Sequence, residues 1–123
     1  MIKKLVIAVV VFFLMCAFLS ASESYPNRIV LFFHADWCSA CKTMEPHWET
    51  KAINDILNQQ GYYFASIDTD KYQIFAKQRG VRAIPVTTIT EYNPKTHEFG
   101  DDIKSQVGAM NLSGLEDFLT NRE

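Results

Sequence analysis

The sequence predicts an α/β domain with the outline βαβαββα, a mixed four-stranded sheet with helices on both faces. Three observations carry that prediction. Short β-rich apolar runs alternate with helical patterns, Gly61 and Gly80 stand where two of those patterns stop, and Asn93-Pro94-Lys95-Thr96 forms a turn between the last two extended stretches. With 123 residues, 48% of them hydrophobic, the chain has room for one domain with a compact core. It contains no internal repeat, low-complexity tract or linker.

Residues 1–22 read as a secretory signal. Lys3 and Lys4 lead into an unbroken apolar run from Leu5 to Leu19, followed by Ser20, Ala21 and Ser22. That is a basic start, an apolar middle and a small-residue exit. The run is 15 residues long, whereas a spanning helix uses roughly 20. Cleavage after Ala21 or Ser22 is therefore expected, and retention of residues 5–19 as an uncleaved anchor is the alternative. Cys16 lies inside the run behind Phe13, Leu14 and Met15, without the small residue a lipid-modified cysteine needs before it. The domain is then 23–123. It has lost Lys3, Lys4 and no acid, which leaves 10 basic and 14 acidic groups and a formal charge of −4. No basic field remains to neutralise phosphates, so nucleic acid is excluded as a partner.

Arg28 to His34 is a nearly continuous apolar run, the pattern of a central strand buried on both faces. From Ser39 to about Gln60 helix formers dominate, with Met44, Trp48, Ala52, Ile56 and Leu57 near a 3.6 spacing. Pro46 falls inside this helix and is expected to kink it. Tyr62 to Ile67 is the second strand. Asp70 is expected to cap a helix from Lys71 to Arg79, stopped by Gly80. Strand, helix and strand make a right-handed parallel unit. Val86 to Tyr92 is the third strand, and the stretch after the turn, between His97 and Val107, should return antiparallel. Ser113 and Glu116 are read as the capping box of a last helix carrying Leu115, Phe118 and Leu119.

Once the signal is gone, Cys38 and Cys41 are the two remaining cysteines, in a compartment where disulfides persist. A ring closed over so short a loop stabilises a fold little, so chemistry is the stronger reading. A thiol attacks a disulfide only as thiolate. Cys38 stands where strand hands over to helix, and free N–H groups and the helix dipole favour an anion there. Cys41 lies one turn further in. This assigns Cys38 as the attacking sulfur and Cys41 as the resolving one. A lone C-x-x-C is otherwise half of a zinc site, but structural zinc generally takes four ligands and no second pair follows. No metal and no cofactor are expected.

Ala35-Asp36-Trp37-Cys38-Ser39-Ala40-Cys41-Lys42, with Pro46 after it, resembles the active-site segment of the thioredoxin family. Gly80-Val81-Arg82-Ala83-Ile84-Pro85 resembles that family's segment ending in an active-site cis-proline, and Val107-Gly108-Ala109-Met110 with Leu115 and Phe118-Leu119 resembles its C-terminal strand and helix. The resemblance spans about residues 28–121 and implies a minimal thioredoxin fold. It further implies that Trp37 flanks the disulfide, and that Pro85 is cis and faces Cys38 and Cys41. The carbonyl and N–H of Ile84 then turn outward to pair with an extended substrate strand, while Gly108 keeps the opposite wall low.

Three departures from the family pattern stand out. Phe32 occupies the strand position, six before the first cysteine, where the family commonly has a buried carboxylate. Only Glu23 to Asn27 precede the first core strand after cleavage, so the usual leading strand and helix are expected to be absent. The dipeptide between the cysteines is Ser39-Ala40, closer to the thioredoxin-like domains of periplasmic disulfide reductases than to the Gly-Pro of ordinary thioredoxins. With no strand carboxylate, Glu45 is the candidate to handle the Cys41 proton, because four residues along a helix share a face. The alternative for Glu45 is a solvated acid pairing with Lys42. His34 and His47 flank the motif and are read as a strand-end and a helix-surface histidine rather than metal ligands.

The expectation is an exported thiol:disulfide oxidoreductase, in a bacterial periplasm, that reduces disulfide-containing client proteins and draws electrons from a membrane-borne or soluble thiol protein. The membrane is met only through an uncleaved N-terminal anchor. The rivals are a disulfide oxidase or isomerase, and a thioredoxin-like module holding copper or zinc.

Overall fold

The computed structural model describes residues 2–19 and 26–121. A first helix, α1 (Ile2–Leu19), precedes the domain. Its 18 residues rise about 27 Å, just short of the roughly 30 Å of a bilayer's hydrocarbon core, and among the described residues no helix is long and apolar enough to cross a membrane. The expected cleavage after Ala21 or Ser22 lies outside the described residues, as do Glu23 to Tyr25 of the short lead-in.

The domain follows as β1 (Asn27–His34), α2 (Ser39–Trp48), α3 (Lys51–Gln60), β2 (Tyr62–Asp68), α4 (Gln73–Gln78), β3 (Val86–Asn93), β4 (Glu98–Val107) and α5 (Leu112–Thr120). The sheet order is β2-β1-β3-β4. β1 runs parallel to β2 and antiparallel to β3, and β3 antiparallel to β4. The sheet is therefore mixed, with β1 central.

β1 shows why the apolar run is continuous. Its side chains alternate between two cores. Val30 and Phe32 join Met44, Trp48, Ile53, Leu57, Ile89, Leu115 and Phe118 beneath α2, α3 and α5. Ile29, Leu31 and Phe33 join Ala76, Val86 and Tyr92 beneath α4. A strand buried on both faces has no polar position to spare, and Val30 to Phe33 are each at most 1% exposed.

Three local expectations are corrected. The long helix predicted from Ser39 to Gln60 is two helices, and Pro46 lies inside the first rather than at the break. The chain breaks at Glu49–Thr50 because Thr50 caps α3, its hydroxyl donating to the His47 carbonyl at 2.7 Å and accepting the Ile53 N–H at 3.4 Å. Asp70 does not cap a helix from Lys71. α4 begins at Gln73 without a side-chain cap, and Asp68 is the residue that accepts the Asp70 and Lys71 N–H groups. The last helix is capped by Asn111, whose Oδ1 accepts the Gly114 N–H at 2.7 Å, and not by a Ser113–Glu116 box. An asparagine two positions before the serine takes the cap first.

Candidate active site

β1 delivers the chain to the site. After His34 the buried Ala35 offers its carbonyl to the Cys38 N–H at 3.1 Å, which turns the backbone into α2. Cys38 is the N-cap of α2, in extended conformation, and its sulfur accepts the Cys41 N–H at 3.1 Å. Sulfur thus occupies the place of the serine or aspartate oxygen that commonly satisfies a free helix N–H. Cys38 and Cys41 are joined as a disulfide, with their Cα atoms 5.3 Å apart.

Cys41 is fully buried and Cys38 is 6% exposed, so the edge of the pair facing solvent belongs to Cys38. Both belong to the core beneath α2, α3 and α5. When the pair is reduced, the Cys41 N–H and the positive end of α2 favour negative charge on Cys38, while Cys41 sits among apolar side chains that favour its neutral thiol.

Trp37 is 71% exposed, and its indole N–H donates to the Asp70 carboxylate at 3.0 Å. The Ile84–Pro85 peptide bond is cis. Pro85 is buried, and its carbonyl accepts the Gly108 N–H at 2.8 Å. Gly108 has φ +99°, and open space lies where a side chain would project. Ile84 packs partly buried against both cores, including the one that holds the cysteines. A groove of about 250 Å³ lies between Trp37 and Ile84, with Ala76, Val81, Asp70 and Lys77 along it.

Phe32, which stands where the family carries a carboxylate, is 1% exposed and lies against His34 and Trp48 with ring centroids 5.4 and 5.5 Å away. The core cluster that holds Cys38 and Cys41 therefore receives an aromatic ring and not a carboxylate from residue 32. Glu45 is half-exposed, and its carboxylate lies 3.8 Å from His34 Nδ1 rather than on Lys42. His47, in the last turn of α2, is part-buried and its carbonyl serves the Thr50 turn. Among the described residues no three His, Cys, Asp or Glu side chains are grouped to hold a metal ion.

The sequence reading missed two contacts. Asp70 anchors Trp37, and Ser66 Oγ lies 2.7 Å from His34 Nε2. Both join residues more than thirty apart, and only the parallel register of β1 on β2 brings Ser66 beside Phe32 and His34.

The comparisons with known proteins agree with this geometry. The thioredoxin family model matches residues 16–121. A thioredoxin of Ophiophagus hannah is 31% identical over 88 residues, 70% of this chain and 78% of that protein. A protein disulfide isomerase-like 2-1 of Oryza sativa subsp. japonica is 30% identical over 74 residues, 60% of this chain. The chain spans only 19% of that relative's length. Among solved structures, the thioredoxin of Fasciola hepatica superposes with a TM-score of 0.60 at 26% identity, covering 80% of this chain and 83% of its own. A fold with β1 at its centre, a disulfide at the N-terminus of α2 and a family match over most of its length lead to one conclusion: the chain belongs to the thioredoxin family.

Proposed function

We propose that the protein is an exported thiol:disulfide oxidoreductase that reduces disulfides in client proteins through Cys38 and Cys41. The observation that carries the proposal is the Cys38 sulfur capping α2, with the Cys41 N–H on it at 3.1 Å and Cys41 buried behind it. In the dithiol form the Cys38 thiolate attacks a client disulfide. A Cys38–client bond forms, the client S–S bond breaks, and one client sulfur leaves as thiolate. Cys41 then gives up its proton to Glu45, one turn along α2, and attacks Cys38 Sγ. The Cys38–Cys41 bond forms and the second client sulfur leaves with the electron pair. Two electrons have passed to the client, whose two sulfurs leave as thiolates and take their protons from solvent.

Trp37, Ile84, Pro85 and Gly108 form the docking edge in this reading. Ile84 offers its peptide groups to an extended client segment, and Gly108 leaves room for it. An electron-donor thiol protein, membrane-borne or soluble, returns the pair to dithiol. Export to a bacterial periplasm is supported by Lys3 and Lys4 in the first turn of an otherwise apolar helix whose side chains from Leu5 to Phe12 are largely exposed. The isomerase names among the relatives favour one second reading, rearrangement of client disulfides, which uses the same first step without the resolving one.

The test is reduction of a disulfide-bonded protein such as insulin with dithiothreitol as donor. The protein should accelerate it well beyond dithiothreitol alone, and Cys38→Ser should abolish the acceleration. Recovery of activity from a scrambled disulfide protein without net reduction would instead support the isomerase reading.

A further inference from the structure

We propose that His34, held by Ser66, is a positioning residue that directs the Glu45 carboxylate toward Cys41. This rests on the exchange reading above and deepens it. Among the described residues three buried side-chain polar atoms have no hydrogen-bond partner: His34 Nδ1, Trp48 Nε1 and Thr87 Oγ1. Such atoms are costly, and each calls for an explanation. For His34 the structure provides a charged neighbour, Glu45 Oε1 at 3.8 Å, outside hydrogen-bond reach but within reach of a small rotation of a half-exposed side chain.

The imidazole is fixed from two other sides. Its ring stacks on Phe32 at 5.4 Å, and Nε2 lies 2.7 Å from Ser66 Oγ. If the Ser66 hydroxyl donates to Nε2, neutral His34 carries its hydrogen on Nδ1, the atom that faces Glu45. One tautomer then satisfies Ser66 and presents a donor to the carboxylate. Asp68 is the register partner of His34 on β2, but its Oδ1 is taken by the Asp70 and Lys71 N–H groups, and Thr69 bonds the His34 carbonyl. Glu45 is therefore the carboxylate that the ring addresses. Cys41 lies one turn before Glu45 on α2, where i and i+4 side chains are neighbours about 5–6 Å apart at Cβ.

The chemical need is set by Phe32. At residue 32 the strand contributes an aromatic ring to the cluster that holds Cys41 and no carboxylate, whereas α2 carries one a turn after Cys41, on Glu45. In the resolving step the Cys41 S–H proton passes to Glu45, the freed thiolate displaces the client sulfur from Cys38, and the protonated Glu45 later returns its proton to solvent. His34 transfers no proton. It holds one carboxylate oxygen so that the other can reach the thiol. A serine, histidine and carboxylate in this order also occur in hydrolases, but Ser66 lies within a strand and not at a strand-to-helix turn, where backbone donors for an oxyanion converge.

The test uses the full chain carrying Cys16→Ser, reduced and mixed in stopped flow with the aromatic disulfide dithionitrobenzoate. Attack by Cys38 releases a first coloured thiolate at a rate proportional to reagent. Resolution by Cys41 releases a second at a rate independent of it. Glu45→Gln should slow the second phase about tenfold or more, as loss of a general base does. His34→Phe and the milder Ser66→Ala should slow it in the same direction, with the first phase unchanged. His34→Gln, which can place an amide donor near the same point, should recover part of the rate. Because the residues act on one step, His34→Phe with Glu45→Gln should be no slower than Glu45→Gln alone. A second phase unaffected by both His34→Phe and Ser66→Ala, or additive losses in the double variant, would overturn the proposal and leave the exchange reading standing. Absence of the second phase in the parent protein would overturn both.

Discussion

Cys38 is held as an N-cap, and that arrangement makes its acidity measurable apart from its partner. Replacing Cys41 by serine removes the second thiol but keeps the residue 41 N–H that bonds Cys38 Sγ at 3.1 Å. A charge at a helix N-terminus gains about 0.3–1 kcal/mol, and a hydrogen bond to a charged acceptor about 1.5–3 kcal/mol. Near-complete burial of Cys38 opposes ionisation, so about 2 kcal/mol of net preference for the thiolate is a fair expectation. That corresponds to about thirtyfold more thiolate at any pH below the transition. The weaker intrinsic nucleophilicity of a more acidic thiol returns about fivefold of this, leaving alkylation about sixfold faster at limiting access. The assay is iodoacetamide alkylation across pH in a chain carrying Cys16→Ser and Cys41→Ser, compared with the same chain unfolded in guanidinium chloride. Restricted access lowers the plateau rate without moving the midpoint, so the midpoint decides. It should lie clearly below that of the unfolded chain. A midpoint equal to or above the unfolded one would refute the capping argument, and preferential labelling of Cys41 in the reduced parent would reverse the assignment of roles.

Other consequences follow from the same structure. Cys41→Ser should accumulate mixed disulfides with client proteins on non-reducing gels while Cys38→Ser traps few or none, because only the former keeps the attacking thiol and loses the resolving one. Met44 is fully buried in the cluster that contains both cysteines, so Met44→Ala should cost about 2–5 kcal/mol in chemical denaturation. Asn111→Ala removes the α5 cap and should cost about 1 kcal/mol, lowering the melting temperature by about 4–8 °C. Gly108 at φ +99° with open space above it should tolerate alanine sterically but not conformationally, so Gly108→Ala should lower the melting temperature by a few degrees and slow client exchange.

What the sequence made legible was whatever depends on local chemistry or on burial of whole runs. The Arg28–His34 run reads as a strand covered on both faces, as β1 is, and the strand-to-helix placement of Cys38 followed from it. Gly61 stops α3 at φ +70°, as a glycine after a helical pattern should. Cap choices were harder, because neighbouring residues compete for one role. Thr50 divides what reads as a single helical period, and Asn111 takes precedence over Ser113. The contacts of His34 with Ser66 and of Trp37 with Asp70 depend on strand register and loop path, which no local pattern encodes. Glu45 stands four residues after Cys41 on α2, but the histidine its carboxylate faces comes from another element and could not be read from helical spacing.

The most direct test of the central claim is the equilibrium reduction of the Cys38–Cys41 disulfide, followed by thiol trapping across a series of dithiothreitol redox buffers while circular dichroism monitors the fold. A working reductase pair should show one two-electron transition near the roughly −270 mV of thioredoxins, with the fold unchanged on either side of it. A disulfide that stays oxidised well below about −300 mV, or a domain that unfolds when the bond opens, would make the pair a structural staple and contradict the account.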